Sequence, residues 1–198
     1  MAILMLLEVP GATTEQYDRT NEIIGIQSDA DAPAGLIEHV LATTADGVLA
    51  IDLWESEEAF NAFFEEKQVG RAMAEAGAPE PSGPPQILQV HNHFAGAGEE
   101  AGVVMIADVP GFGPSMYDGM VADMDEQLPF GPDHPATHHT AAVKANGEIL
   151  VVDLWPSGEA FGRFAEETIM PAAEKHGMPP FEPRILPVHN RLSGKVPA

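Results

Sequence analysis

The chain contains no cysteine in 198 residues. That absence excludes disulfides, thiolate metal sites and thiol nucleophiles. Basic residues are scarce: nine Lys and Arg stand against thirty-one Asp and Glu, for a formal charge of −22. So acidic a surface repels phosphate backbones and anionic lipid heads, which argues against nucleic acid and membrane surfaces as partners. No apolar run approaches the roughly 20 residues that a membrane span requires. Met1 to Leu7 is apolar but carries no basic leader, and it runs at once into Glu8-Val9-Pro10-Gly11, a strand and turn rather than a secretory signal. A soluble, cytoplasmic protein is the expectation. Also missing are a Gly-x-Ser-x-Gly elbow and a phosphate-cradling glycine loop, which removes the usual signatures of serine hydrolases and of nucleotide or flavin binding. What the chain does have is an ordinary apolar fraction, 44%, enough for a real core.

It also has an internal repeat. Ile3-Leu4-Met5-Leu6-Leu7-Glu8-Val9-Pro10-Gly11 recurs as Val103-Val104-Met105-Ile106-Ala107-Asp108-Val109-Pro110-Gly111. Tyr17-Asp18 recurs as Tyr117-Asp118, His39 as His139, and Asp52-Leu53-Trp54 as Asp153-Leu154-Trp155. Near the end of each copy, Val90-His91-Asn92 returns as Val188-His189-Asn190, and the offset stays between 98 and 101 throughout. Small, flexible and charged residues, Gly96 to Gly102, separate the copies. The expected domains are residues 1–96 and 103–198, with 97–102 as linker.

Each copy reads β-α-β-β-α-β. The apolar opening is a strand, and Thr13-Thr14-Glu15-Gln16 fits a helix capping box, with Gly25 as the stop. Residues 36–43 and 48–54 are strands around Asp46-Gly47, expected to form a two-residue turn with positive φ, and Asn146-Gly147 stands at the same place in the second copy. Ser56 caps a second helix with Ala59, Phe60, Phe63 and Phe64 on its core face, ended by Gly77 or, in the second copy, Gly177. A last strand covers 86–94. This is the order of a ferredoxin-like unit, an antiparallel sheet with both helices on one face. The expected fold is α+β: two tandem ferredoxin-like βαββαβ units packed sheet to sheet, in a monomer with pseudo-twofold symmetry.

Asp52-Leu53-Trp54-Glu55-Ser56-Glu57-Glu58-Ala59-Phe60, with its Asp153–Phe161 copy, resembles the acidic-x-aromatic-x-Ser-x-Glu-Ala-Phe segment of antibiotic-biosynthesis-monooxygenase-like domains. The resemblance covers nearly the whole chain as fold and implies an intramolecular dimeric α/β-barrel. That family includes cofactor-free oxygenases of aromatic polyketides, haem-binding and haem-degrading proteins, and members with no known reaction.

Strand alternation places His39, Leu41, Asp52 and Trp54 on one face, and the apolar Val40, Ala42, Ile51 and Leu53 on the other. The all-apolar face is expected to meet the helices, leaving the polar set between the two sheets. His91 is expected to look into the interior. The second copy has one more residue between Gly147 and Asp153, to be absorbed by a longer turn or a bulge. The candidate catalytic residues are therefore His39, Asp52, His139 and Asp153, and the candidate ligand-binding residues are Trp54, His91, Trp155 and His189. Histidine tuned by aspartate would remove a phenolic or carbon-acid proton, and the indoles would hold a flat aromatic ligand. The plainer alternatives are aspartates that merely pair with histidines, tryptophans in the core, and Tyr17 and Tyr117 as packing residues. No metal is expected, since His91-x-His93 is the one compact histidine pair and its repeat partner is Arg191. No cofactor is expected either. The functional expectation is a cofactor-independent monooxygenase of an aromatic or polyketide-like molecule, with a non-catalytic ligand- or haem-binding barrel as the alternative.

Overall fold

The computed structural model describes residues 1–98, 100–125 and 131–194. Glu99 of the expected linker and residues 126–130 and 195–198 of the second repeat lie outside the described residues. The first repeat runs β1 (Ile3–Pro10), α1 (Thr14–Ile24), β2 (Leu36–Thr43), β3 (Gly47–Trp54), α2 (Glu57–Lys67), α3 (Val69–Glu75) and β4 (Gln86–Ala95). The second runs β5 (Val103–Asp108), α4 (Pro114–Asp125), β6 (His138–Val143), β7 (Ile149–Trp155), α5 (Gly158–Phe164), α6 (Met170–Lys175) and β8 (Arg184–Ser193). The class is α+β with antiparallel strands, in the ferredoxin-like order.

The caps explain where the helices begin. Thr13 accepts the Gln16 N–H while the Gln16 side chain accepts the Thr13 N–H, and Gly25 ends α1 in the left-handed region at φ 76°. Ser56 and Ser157 each accept the N–H three residues on, from Ala59 and Ala160. The second helix of each repeat is interrupted at a matching place. Gln68, at φ 49°, separates α2 from α3, and a π-helical segment, Ala165–Ile169, joins α5 to α6.

The chain divides into two compact units whose limits differ from those of the repeats: Met1–Ile87 with Val188–Ala198, and Leu88–Pro187. In the first, β1 pairs with β3, β3 with β2, and β2 with the Val188–Ser193 part of β8. In the second, the Arg184–Pro187 part of β8 pairs with β5, β5 with β7, β7 with β6, and β6 with β4. Each repeat thus gives part of its last strand to the other repeat's unit.

A two-residue turn at Asp46-Gly47 would set Thr43 opposite Ala50 and His39 opposite Trp54, and the observed β2–β3 register is two residues off that. Thr43 pairs with Val48 and His39 with Asp52, and a Thr44 N–H to Gly47 carbonyl bond of 2.9 Å closes the turn over Ala45 and Asp46. Gly47 has no positive φ. It is needed because a Cβ there would sit 2.4 Å from the Val9 carbonyl oxygen. The second repeat's extra residue lengthens the turn instead of bulging a strand: Val143 pairs with Ile149, Gly147 takes φ 85°, and His139 still faces Asp153.

The side of the sheet expected for the polar set is corrected by the packing. Met5, Leu7, Val9, Leu41 and Trp54 form a core with Phe60 of α2, joined by Tyr17 of α1 and Phe63. The face bearing His39, Asp52 and Trp54 is therefore the helix side, as is the face of His139, Asp153 and Trp155, and Ile51 and Leu53 lie on the opposite face. The reasoning from apolarity failed because both faces of these strands are buried. Every residue of β7 is buried, and in β3 only Gly47 and Ala50 are not fully so.

Candidate functional site

A short chain of polar groups crosses the first unit beneath α1. His39 on β2 faces Asp52 on β3, and its Nδ1 lies 2.5 Å from Asp52 Oδ1. The other carboxylate oxygen, Oδ2, accepts the Trp54 indole N–H at 3.2 Å. His39 Nε2 meets the Tyr17 hydroxyl at 2.6 Å, and that hydroxyl lies 3.0 Å from the Asn190 side-chain amide on β8. The imidazole and phenol rings are nearly coplanar, 5° apart.

The chemistry orders the protons. An ionised Asp52 accepts from Nδ1–H, which leaves the Nε2 lone pair for Tyr17. A phenol has one hydrogen, so Tyr17 donates either to His39 or to Asn190. Turning the Asn190 amide over, so that its N–H rather than its oxygen faces the phenol, suits the arrangement in which Tyr17 donates to His39. Burial raises the pKa of Tyr17 well above the ordinary phenol value, and the nearby Asp52 charge pushes it the same way. Tyr17 therefore stays protonated and passes a proton rather than carrying charge.

The second unit repeats the histidine, aspartate, tyrosine and asparagine of the arrangement but not its indole–carboxylate bond. His139 Nδ1 lies 2.7 Å from Asp153 Oδ1, Tyr117 hydroxyl 2.7 Å from His139 Nε2, and Asn92 Nδ2 donates to Tyr117 at 3.0 Å. Burial raises Tyr117 in the same way. The His–Asp side chains are 15% and 7% exposed in the first unit and 5% and 6% in the second, so each pair is held away from water. The asparagine comes from β8 in the first unit and from β4 in the second, the strands that cross between repeats.

Each chain of groups borders an apolar cavity. The first, of about 110 Å³, is lined by Tyr17, Asn21, His39, Asp52 and Trp54 among aliphatic and phenylalanine side chains. The second, about 70 Å³, is lined by Tyr117, His134, His139 and Asp153 among similar apolar groups. Of the residues singled out in the sequence, His39, Asp52 and Trp54 come together, as do His139 and Asp153. Trp155 packs on Phe161 and Phe164 and does not line its cavity. His91 and His189 are corrected: they sit at the surface, 28% and 29% exposed, bonded to Asp118 and Asp18. A bulge at His91 in the β4–β6 pairing turns Asn92 toward Tyr117.

Tyr17 and Asn92 matched residue types that the family resemblance implies but were not among the candidates, and Tyr117 and Asn190 were missed as site residues. The signal was present, since Tyr-Asp and His-Asn are among the dipeptides that recur at constant offset. His134 had no counterpart in the first repeat to mark it. It is buried, its Nδ1 accepts the Ala136 N–H at 3.1 Å, and burial depresses its proton affinity to a pKa of about 4. Among the described residues, no group of three His, Asp or Glu side chains is placed to hold a metal, and no helix is long and apolar enough to cross a membrane.

No protein-family profile matches the chain, and no curated protein matches it. Solved structures do. A putative monooxygenase from Lactobacillus acidophilus superposes with a TM-score of 0.68 at 9% identity, covering 98% of each chain. One from Fusobacterium nucleatum gives 0.66 at 10%, covering 97% of this chain and 94% of that one. An anthrone oxidase-like protein gives 0.50 at 16%, covering 97% and 92%. At such identities the likeness is one of fold.

Proposed function

From the fold of the antibiotic-biosynthesis-monooxygenase-like dimeric α/β-barrel superfamily, we propose that this chain oxygenates a small, flat aromatic or polyketide-like molecule without a metal or organic cofactor. The observation that carries the reading is the Asp52–His39–Tyr17 relay opening on an apolar cavity, with Trp54 beside it. The substrate gives its acidic proton to the Tyr17 oxygen while Tyr17 passes its own to His39 Nε2. The imidazolium so formed is stabilised by Asp52. The carbanion, in an apolar space that excludes water, passes one electron to O₂, the radicals combine as a peroxide, and loss of water leaves a carbonyl. In sum, CH₂ and O₂ become C=O and H₂O. His139, Asp153 and Tyr117 are the corresponding groups of the second unit.

A haem-binding reading has less support. It needs an imidazole nitrogen free toward the cavity, and Tyr17 and Tyr117 already occupy those of His39 and His139. The test is oxygen uptake with a dihydroxyanthrone or a related phenol. The wild-type chain is expected to consume O₂ and His39→Ala to lose about 10²–10⁴-fold in rate. A folded wild-type protein that consumes none with any such substrate would overturn the reading.

A further inference from the structure

The two sites share a polar chain but not a wall. The inner stripe of α1 is Tyr17, Thr20, Asn21 and Ile24, at the i, i+3, i+4, i+7 spacing of one helix face. The matching stripe of α4 is Tyr117, Met120, Val121 and Met124. Two polar residues beside the phenol have become apolar. Asn21 brings a side-chain amide to the cavity wall beside Tyr17, where the second unit has only the Val121 methyls beside Tyr117. Across the cavity, Ala12 is replaced by Phe112, and the His134 ring packs 4.8 Å from Phe164 and 5.1 Å from Phe94. Leu7 to Ala107 runs the other way, yet the second cavity is the smaller, about 70 against 110 Å³. The tryptophans differ too. Trp54 lines its cavity and bonds Asp52, whereas the buried Trp155 N–H finds no acceptor among the described residues.

We infer that the first unit's cavity is the chain's one site for an oxygen-bearing flat aromatic ligand, with Asn21 selecting it, and that the second unit's cavity is closed to such a ligand. This rests on the reading of the first cavity as a substrate site. Asn21 offers the ligand's hydroxyl or carbonyl a partner beside Tyr17. In the second unit Met120 and Val121 would leave that oxygen buried and unpaired, which apolar walls penalise strongly.

Titration calorimetry with a dihydroxyanthraquinone, which has no carbanion to yield, tests this on the intact chain. One equivalent should bind per chain, Asn21→Leu should weaken binding about tenfold or more, and Thr20→Met with Asn21→Val should abolish it while the melting temperature stays near wild type. If the double variant does not fold, Asn21→Leu, at a half-buried position, carries the test alone. Two equivalent sites per chain, or unchanged binding in Asn21→Leu, overturns the inference. Binding of one equivalent without oxygen uptake from the matching anthrone leaves it standing and removes the oxygenase reading. Oxygen uptake with two equal sites does the reverse, and no binding at all overturns both.

Discussion

At the residue scale, the buried histidines carry the sharpest expectations. His39→Ala removes the base and also withdraws a hydrogen bond from a buried Asp52, so it should lower stability by about 1–3 kcal/mol as well as stopping turnover. Tyr17→Phe separates the two effects. It keeps the His39–Asp52 pair and the packing while breaking the relay, so oxygen uptake should fall much further than the melting temperature does. His134 gives a pH signature. Its native pKa, about 4 through burial, lies below the usual histidine value, so between roughly pH 6.5 and 4 the unfolded chain binds a proton that the native one does not. Stability is therefore lost as pH falls through that window, by roughly 2–3 kcal/mol from this group. Melting temperatures at pH 7 and 4.5 should differ less in His134→Phe than in wild type. An equal fall in both would show that His134 does not titrate this way.

At the scale of elements, β8 ties itself to β2 by an ion pair. Arg191 clasps Glu38 with two bonds, 2.7 and 3.0 Å, and the carboxylate is only 9% exposed. Burial holds Glu38 above its ordinary pKa even beside the guanidinium. Arg191→Met should cost about 3–5 kcal/mol at pH 8, where Glu38 is charged. The cost should shrink toward pH 5, because without the guanidinium the native carboxyl holds a proton to still higher pH. Denaturant melts at the two pH values check the sign. Gly47→Ala should also destabilise, through the clash of a Cβ with the Val9 carbonyl rather than through φ. Local chemistry of this kind was largely legible in the sequence: the Thr13 box, the Ser56 and Ser157 caps and the glycine stops all fall where expected. The pairing of His39 with Asp52 was legible only as a shared face. Which side that face took was not, because alternation separates two sets of residues but says which is buried only when one side meets water. Tyr17 read as packing because a phenol on a helix face looks the same whether or not its hydroxyl has a partner across the cavity.

At the scale of the molecule, the first compact unit is not a contiguous stretch of chain, and the second, Leu88–Pro187, runs across the boundary between the repeats. A fragment of residues 1–96 would leave the β2 edge without Val188–Ser193 and Tyr17 without Asn190. Expressed alone, it should self-associate or aggregate through that open edge. Mixing it with residues 97–198 should restore a soluble, stoichiometric complex, seen by gel filtration and light scattering. A fragment that stays monomeric and folded by itself would contradict the strand pairing described for β8. The repeats announced themselves in the sequence, but the exchange of last strands did not, since a strand's partner depends on neighbours that local pattern does not name.

That exchange has a hereditary side. Asn190 is written near the end of the second repeat, yet the phenol it serves is written near the start of the first. Once the copies diverge, selection on one pocket reaches into both, and drift in the last strand of either copy is judged by the chemistry of its sibling. In an alignment of relatives, positions 189–191 should accordingly covary with residues 17–54, and positions 91–93 with 117–153. A recombination event that swapped only the final strands would splice together two lineages of pocket, and its descendants should be rare.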